Sequence, residues 1–256
     1  MGGTAPTVGG TGLVLDARDL HKRFGKVDAV GGVTLQIRQG ERVGIVGPNG
    51  AGKTTTLLML LGAIDPDVGS VDLVGQRLPR GRSRAMATVG FAAGYLPLPE
   101  RLTVVETLRL FAELYGVDDV AGAVDAVLDE LTIRHLADQR CESLSSGQGT
   151  LVGIAKAVLH RPRLLILDEP TASLDPDVAM RVRDRLERLN AEHDVTLLLT
   201  SHDMREVERL TERVVFLRDG LVIADGAPAD VVAESGHADL EALFLAEAAR
   251  RRGEVV

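Results

Sequence analysis

The chain has 256 residues, 45% apolar and 26% charged, which supports one large or two small globular domains and excludes a disordered or collagen-like chain. With 29 basic against 37 acidic side chains the formal net charge is −8, so no global basic field draws it to nucleic acid. Its longest uncharged stretches, Met1 to Leu15 and Ala85 to Pro99, have 15 residues each and contain Gly and Pro, short of a bilayer span.

Residues 1–12 hold five glycines and no apolar period, which predicts a mobile leader. They lack the basic start and apolar middle of a secretory signal, and one cysteine cannot form an internal disulfide, so a cytoplasmic chain is expected. From Leu13 to Ile37, β-branched and apolar residues mixed with glycine predict short strands, and Arg42 to Val46 a strand that enters a Gly-rich turn. Lys53 to Leu61 reads as a helix. Thr103 and Glu106 form a capping-box spacing, and behind it Val104, Leu108, Phe111 and Tyr115 share one helical face. Val120, Val124, Val127, Leu128 and Leu131 mark the next helix. From Leu164 to Ala224 strand and helix alternate in the βαβ manner, so the whole predicts an α/β core with a helical insertion. Asp239 to Arg252 reads as one amphipathic helix, with Leu240, Leu243, Phe244 and Ala248 on a face and three Arg at its C-terminal end. There is no internal repeat.

The sharpest motif is Gly47-Pro48-Asn49-Gly50-Ala51-Gly52-Lys53-Thr54-Thr55, the phosphate loop G-x-x-x-x-G-K-[ST], placed after a strand and at the start of a helix. The glycines let consecutive backbone N–H groups point inward at phosphate, and the helix start adds partial positive charge. Lys53 would reach the β- and γ-phosphates and Thr54 would place its hydroxyl on Mg²⁺. The second motif is the apolar strand Leu164 to Leu167 ending in Asp168 and Glu169, carboxylates at the carboxyl edge of a parallel sheet. Asp168 would hold Mg²⁺ through water. Glu169, expected on the other side of an extended chain, would act as general base on the attacking water.

With Leu144-Ser145-Ser146-Gly147-Gln148, Ala172-Ser173-Leu174-Asp175 and Thr200-Ser201-His202-Asp203 in order around these two motifs, the sequence resembles the nucleotide-binding subunits of ABC transporters from about Leu13 to Ala246. The resemblance implies an α/β fold: a P-loop NTPase core with an antiparallel β subdomain and an α-helical subdomain insertion. It implies catalytic-core segments at 13–93 and 161–225, a loop and helical subdomain at 94–160, and C-terminal helices at 226–250, all within one ATPase domain, 13–250. It also implies that Phe24 stacks on adenine and that Ser145, Ser146, Gly147 and Gln148 meet ATP held by a second subunit. His202 would contact the γ-phosphate, and Asp175 would link the two sites across a head-to-tail dimer. ATP and Mg²⁺ are the implied cofactors. A homodimer or related ATPase and a separate polytopic membrane subunit are the implied partners, the latter holding the chain at the inner face of the cell membrane. The short tail resembles that of exporter ATPases.

Two positions depart from the family pattern. The loop glutamine found about forty residues after the phosphate-loop lysine is matched here by Gly94, or by Leu98 in a gapped register. The lost side chain predicts retained ATP binding with turnover reduced or coupling altered. Ser146 replaces a glycine and is expected to strain a backbone that needs positive φ. The primary expectation is an ATPase motor subunit; the alternative is a non-transport or regulatory ABC protein that closes on ATP with little turnover.

Overall fold

The computed structural model describes residues 12–252, so the expected leader at 1–12 lies outside the described residues except for Gly12. β1 (Leu13–Phe24) and β2 (Val27–Arg38) have twelve residues each, longer than the short strands expected, and pair antiparallel with Leu15 opposite Ile37 and Ala17 opposite Leu35. Register shifts around Leu20 bend the pair without ending it, so a Gly-containing text that reads as short pieces forms one long ribbon. β3 (Arg42–Val46) leads through the Gly-rich turn into α1 (Lys53–Leu60), which buries Thr56, Leu57, Met59 and Leu60. β4 (Val68–Leu73) and β5 (Gln76–Arg77) complete a four-stranded antiparallel sheet in the order β2-β1-β4-β5. α2 (Arg82–Met86) then precedes β6 (Val89–Ala93).

Three helices follow before the chain returns to the sheet: α3 (Val104–Leu114), α4 (Val120–Glu130) and α5 (Ser146–Val158). α3 starts as the Thr103 and Glu106 spacing predicts. The Thr103 side chain accepts from Glu106 N at 3.2 Å, and Glu106 Oε2 accepts from Thr103 N at 2.8 Å. β7 (Leu164–Asp168), α6 (Pro176–His193), β8 (Thr196–Thr200), α7 (Met204–Leu210), β9 (Arg213–Arg218) and β10 (Leu221–Gly226) carry the alternating part, and α8 (Pro228–Ser235) and α9 (Leu240–Arg252) end it. β6 and β7 are direct parallel neighbours, so everything from α3 to α5 is inserted between two adjacent strands.

The second sheet has the order β10-β9-β3-β8-β7-β6, parallel except for the edge strand β10. Every residue of β7 and β8 is buried, which is why both read as continuous apolar runs instead of alternating. One apolar cluster unites Leu108, Val127, Val152 and Ile154 of the inserted helices with Leu165, Leu167, Leu197 and Leu199 on one sheet face. A second fills the other face: Ile45, Leu57, Ile166 and Leu198 against Leu15, Leu35 and Ile37 of the antiparallel sheet. A third packs Phe216 and Val231 against Leu240 and Leu243 of the amphipathic tail. Glu247 breaks that helix's apolar face: it is buried and accepts from Arg218 Nη1 at 2.8 Å.

Because β3, β8, β7 and β6 are parallel neighbours, their carboxyl ends meet at one edge. Ile45 is in register with Thr200, Thr200 with Asp168, and Asp168 with Ala93. Four motifs far apart in sequence therefore emerge side by side.

Candidate functional site

The phosphate loop begins where β3 leaves the sheet. Gly47 (φ 146°) and Gly52 (φ 103°) are fixed by close approach as well as by their left-handed backbone: a Cβ would lie 2.1 Å from the Leu217 carbonyl oxygen or 2.5 Å from that of Ala29. Gly52 caps α1 without a side-chain acceptor, so the first N–H groups of the helix stay available to an anion. Lys53 Nζ donates to the carbonyls of Gly47 (2.6 Å) and Pro48 (3.4 Å), which lays the ammonium across the loop. Asn49, Gly50, Gly52, Lys53, Thr54 and Thr55 line a pocket of about 770 Å³. Pro48 and Ala51 instead shape the loop: Ala51 N donates to Pro48 O and Ala51 O accepts from Gly220 N, each at 3.0 Å.

Opposite the loop, β7 delivers Asp168 and Glu169 into the same pocket. Asp168 is 4% exposed; its Oδ1 accepts from Thr200 Oγ1 at 2.5 Å, and Thr54 Oγ1 stands 3.5 Å from its Oδ2. A hydroxyl and a carboxylate, both hard oxygen donors, thus converge, while no group of three or more His, Cys, Asp or Glu among the described residues forms a cage. Protein donors this few fit Mg²⁺, which keeps waters and phosphate oxygens in its shell.

Glu169 is not part of an extended chain, as its sequence context predicts, but turns sharply out of β7 in a left-handed backbone at φ 53°. Its N–H holds that turn by donating to Thr200 O (3.2 Å) and Thr200 Oγ1 (3.1 Å). The turn aims the carboxylate along the sheet edge at His202, whose Nδ1 lies 2.6 Å from Glu169 Oε2 and whose N–H donates to the same oxygen at 3.3 Å.

Three residues without an assigned role complete the site. Thr200 ties both carboxylate residues together through one hydroxyl. Glu206, in the first turn of α7 and 2% exposed, accepts from Thr171 Oγ1 (2.6 Å) and Ser201 Oγ (2.5 Å), fastening the loop after Glu169 to the loop before His202. Burial pushes its carboxyl above the ordinary glutamate range. In sequence it reads as an acid that favours a helix N-terminus, and only the fold shows that it is buried. Tyr95, beyond the end of β6, also lines the pocket; burial of its hydroxyl and the hydrogen-bonded Asp168 carboxylate push it up to about 12.

The remaining expected residues fall as follows. Gly94 lines the pocket, whereas Leu98, the position in the gapped register, packs on the inserted helices. Phe24 is 52% exposed at the end of β1, on the hairpin whose Val27 and Asp28 line the pocket, so it is no core residue. Ser145 to Gln148 do not line this pocket; they start α5 with a second capping box, Ser145 N donating to Gln148 Oε1 at 2.9 Å and Gln148 N to Ser145 Oγ at 3.3 Å. Ser146 is the first residue of that helix, so its backbone is right-handed and the expected strain is absent. Gly147 packs where a Cβ would come within 2.9 Å of Ser173 O. Asp175 is exposed at the N-cap of α6 and makes no side-chain cap.

Residues 30–172 match the family model described as ABC transporter. The Nod factor export ATP-binding protein I of Burkholderia lata is 35% identical over 243 residues, 94% of this chain and 80% of the relative. That of Burkholderia pseudomallei is 38% identical over 216 residues, 84% of this chain and 71% of the relative. Among solved structures, an ATP-binding subunit of an ABC transporter superposes with a TM-score of 0.84 at 29% identity, covering 91% of this chain and 98% of that one. The dimeric, post-hydrolysis cassette MJ0796 bound to ADP and phosphate gives 0.77 at 25% identity, covering 83% and 98%. CbiO1 of Clostridium perfringens, part of the ABC transporter complex cbiONQ, gives 0.77 at 27%, covering 88% and 92%.

Proposed function

Because this chain belongs to the ABC transporter ATP-binding family, we propose that it binds Mg²⁺·ATP in the pocket between the phosphate loop and Asp168 and hydrolyses it to drive export through a separate membrane subunit. The observation that carries this is the Glu169–His202 pair at 2.6 Å, on the same sheet edge as Thr54 and Asp168.

The N–H groups of residues 47–55 and the start of α1 bind the phosphate chain, with Lys53 neutralising its charge. Thr54 and, through water, Asp168 hold Mg²⁺, which supplies charge neutralisation on the phosphates. Phe24 stacks on the adenine from the hairpin beside the pocket. Glu169 takes the proton of the attacking water as its oxygen bonds to the γ-phosphorus and the bond to the β–γ bridging oxygen breaks, leaving ADP and phosphate. His202 orients that carboxylate and donates toward the developing charge. Ser145 to Gln148, outside this pocket, meet the nucleotide of a second copy in a head-to-tail dimer, with Asp175 between the two sites. This arrangement has support in MJ0796, which is itself dimeric in its ADP and phosphate complex.

Export is favoured by relatives named for Nod factor export. Among the described residues no helix is long and apolar enough to cross a membrane, so the path for a cargo belongs to another chain. Gly94 favours a second reading, a regulatory cassette that closes on ATP and turns over slowly, because the pocket lacks a side chain at that position. Nucleotide binding and hydrolysis by the purified chain, Lys53→Ala and Gly94→Gln test both. The motor reading expects Mg²⁺-dependent turnover abolished by Lys53→Ala; the regulatory reading expects turnover only after Gly94→Gln, whose side chain has room, since a Cβ there meets only Thr150 Oγ1, at 3.6 Å.

A further inference from the structure

Tyr95 is placed unlike any other aromatic of the chain. Its residue is 56% exposed, yet its hydroxyl hydrogen-bonds a carboxylate that is 4% exposed, Asp168. The placement is fixed by topology: Ala93, the last residue of β6, is in register with Asp168, and Tyr95 follows two residues later. Asp168 has one short partner in Thr200 Oγ1 at 2.5 Å, while Thr54 Oγ1 is 3.5 Å away. The phenol is therefore a substantial donor to the carboxylate that the cation's water shell needs.

Two further observations connect that hydroxyl to the rest of the fold. Gly94 beside it has only Thr150 Oγ1 of α5 within reach of a Cβ, so the backbone before Tyr95 is not wedged in place. Three residues beyond Tyr95, Leu98 packs into the apolar cluster of α3, α4 and α5. A shift of the phenol off Asp168 is thus carried along a short loop to the inserted helices.

We propose that Tyr95 is the positioning residue through which this loop registers the metal–nucleotide. Its hydroxyl holds Asp168 in the nucleotide-free chain, and Asp168 gives it up in exchange for the water shell of Mg²⁺ arriving with ATP. The inference rests on the ATPase reading and supplies, from a neighbouring residue, a polar contact that Gly94 cannot make.

The chain contains no Trp and two Tyr, Tyr95 and Tyr115, so Tyr115→Phe leaves Tyr95 as the sole strong intrinsic fluorophore. Tyr115 stacks on His160 with ring centroids 4.1 Å apart and lies outside the nucleotide pocket. Tyrosine emission of Tyr115→Phe is followed with a non-hydrolysable ATP analogue, with Mg²⁺ and with chelator, while equilibrium dialysis measures analogue binding independently. A phenol released from a carboxylate brightens, so emission rises with the Mg²⁺ complex and stays level with the metal-free one. In Tyr95→Phe the Mg²⁺ needed for half-maximal analogue binding falls about fivefold, the size of one ordinary hydrogen bond, and metal-free binding is unchanged. Bound analogue with equal emission in the two states overturns the proposal and leaves the ATPase reading standing, as does a Tyr95→Phe variant whose Mg²⁺ requirement is unchanged or raised. No analogue binding at all overturns both.

Discussion

Glu169 answers two demands at one position, a left-handed backbone and a carboxylate on His202. The first costs a non-glycine residue about 1–2 kcal/mol, so the site keeps strain for the sake of the side chain. Two substitutions separate the demands. Glu169→Gln keeps the turn and loses the base, and its turnover falls by about 10²–10⁴ with thermal stability unchanged. Glu169→Gly relieves the backbone but loosens the unfolded chain, and because these terms oppose, stability stays within about 1 kcal/mol of the parent while turnover falls equally. Calorimetry and a phosphate-release assay on the pair check both. The sequence makes Asp168 and Glu169 legible as carboxylates at a strand end, but the turn that aims Glu169 depends on Thr200, 31 residues away on β8, and no local pattern reports it.

At the scale of elements, parallel pairing of β3, β8, β7 and β6 assembles the site, and the apolar runs of β3, β7 and β8 make most of that pairing readable. The phosphate loop and the α3 capping box are legible because local spacing determines them. β4, β5 and α2 are not: Val71 and Leu73 are the buried apolar residues of a six-residue strand, and α2 buries only Ala85. Glu206 and Tyr95 are missed for a different reason, since their partners come from other elements. Helix α5 offers a contrast between two of its glycines. Gly149 has nothing within 4 Å of a built Cβ, so Gly149→Ala stabilises by about 0.5–1 kcal/mol through helix propensity. Gly147→Ala meets Ser173 O at 2.9 Å and loses that gain to displacement of the loop leading to Asp175. Urea midpoints at constant m-value read the difference. At α3, Thr103→Ala removes the cap and costs about 1 kcal/mol in the same assay.

Over the whole molecule, the buried Glu206 gives stability a pH dependence. Its carboxyl faces the hydroxyls of Thr171 and Ser201, with Arg183 Nε at 3.9 Å and Asp203 nearby. Burial raises its folded-state pKa above the unfolded value, so the folded chain binds the proton more tightly than the unfolded chain. That contribution is full below the ordinary glutamate range and is lost as pH rises through the raised value. Glu206→Gln removes the decline; thermal midpoints of both proteins across that interval diverge with rising pH.

The central claim is that two copies close on ATP and that Glu169 reopens them by hydrolysis. Light scattering of Glu169→Gln and the parent chain with Mg²⁺·ATP, beside phosphate release, tests it most directly. The account predicts a persistent ATP-bound dimer in Glu169→Gln and a turning-over, mostly monomeric parent. A Glu169→Gln chain that stays monomeric with bound ATP, or that releases phosphate at the parent's rate, contradicts it.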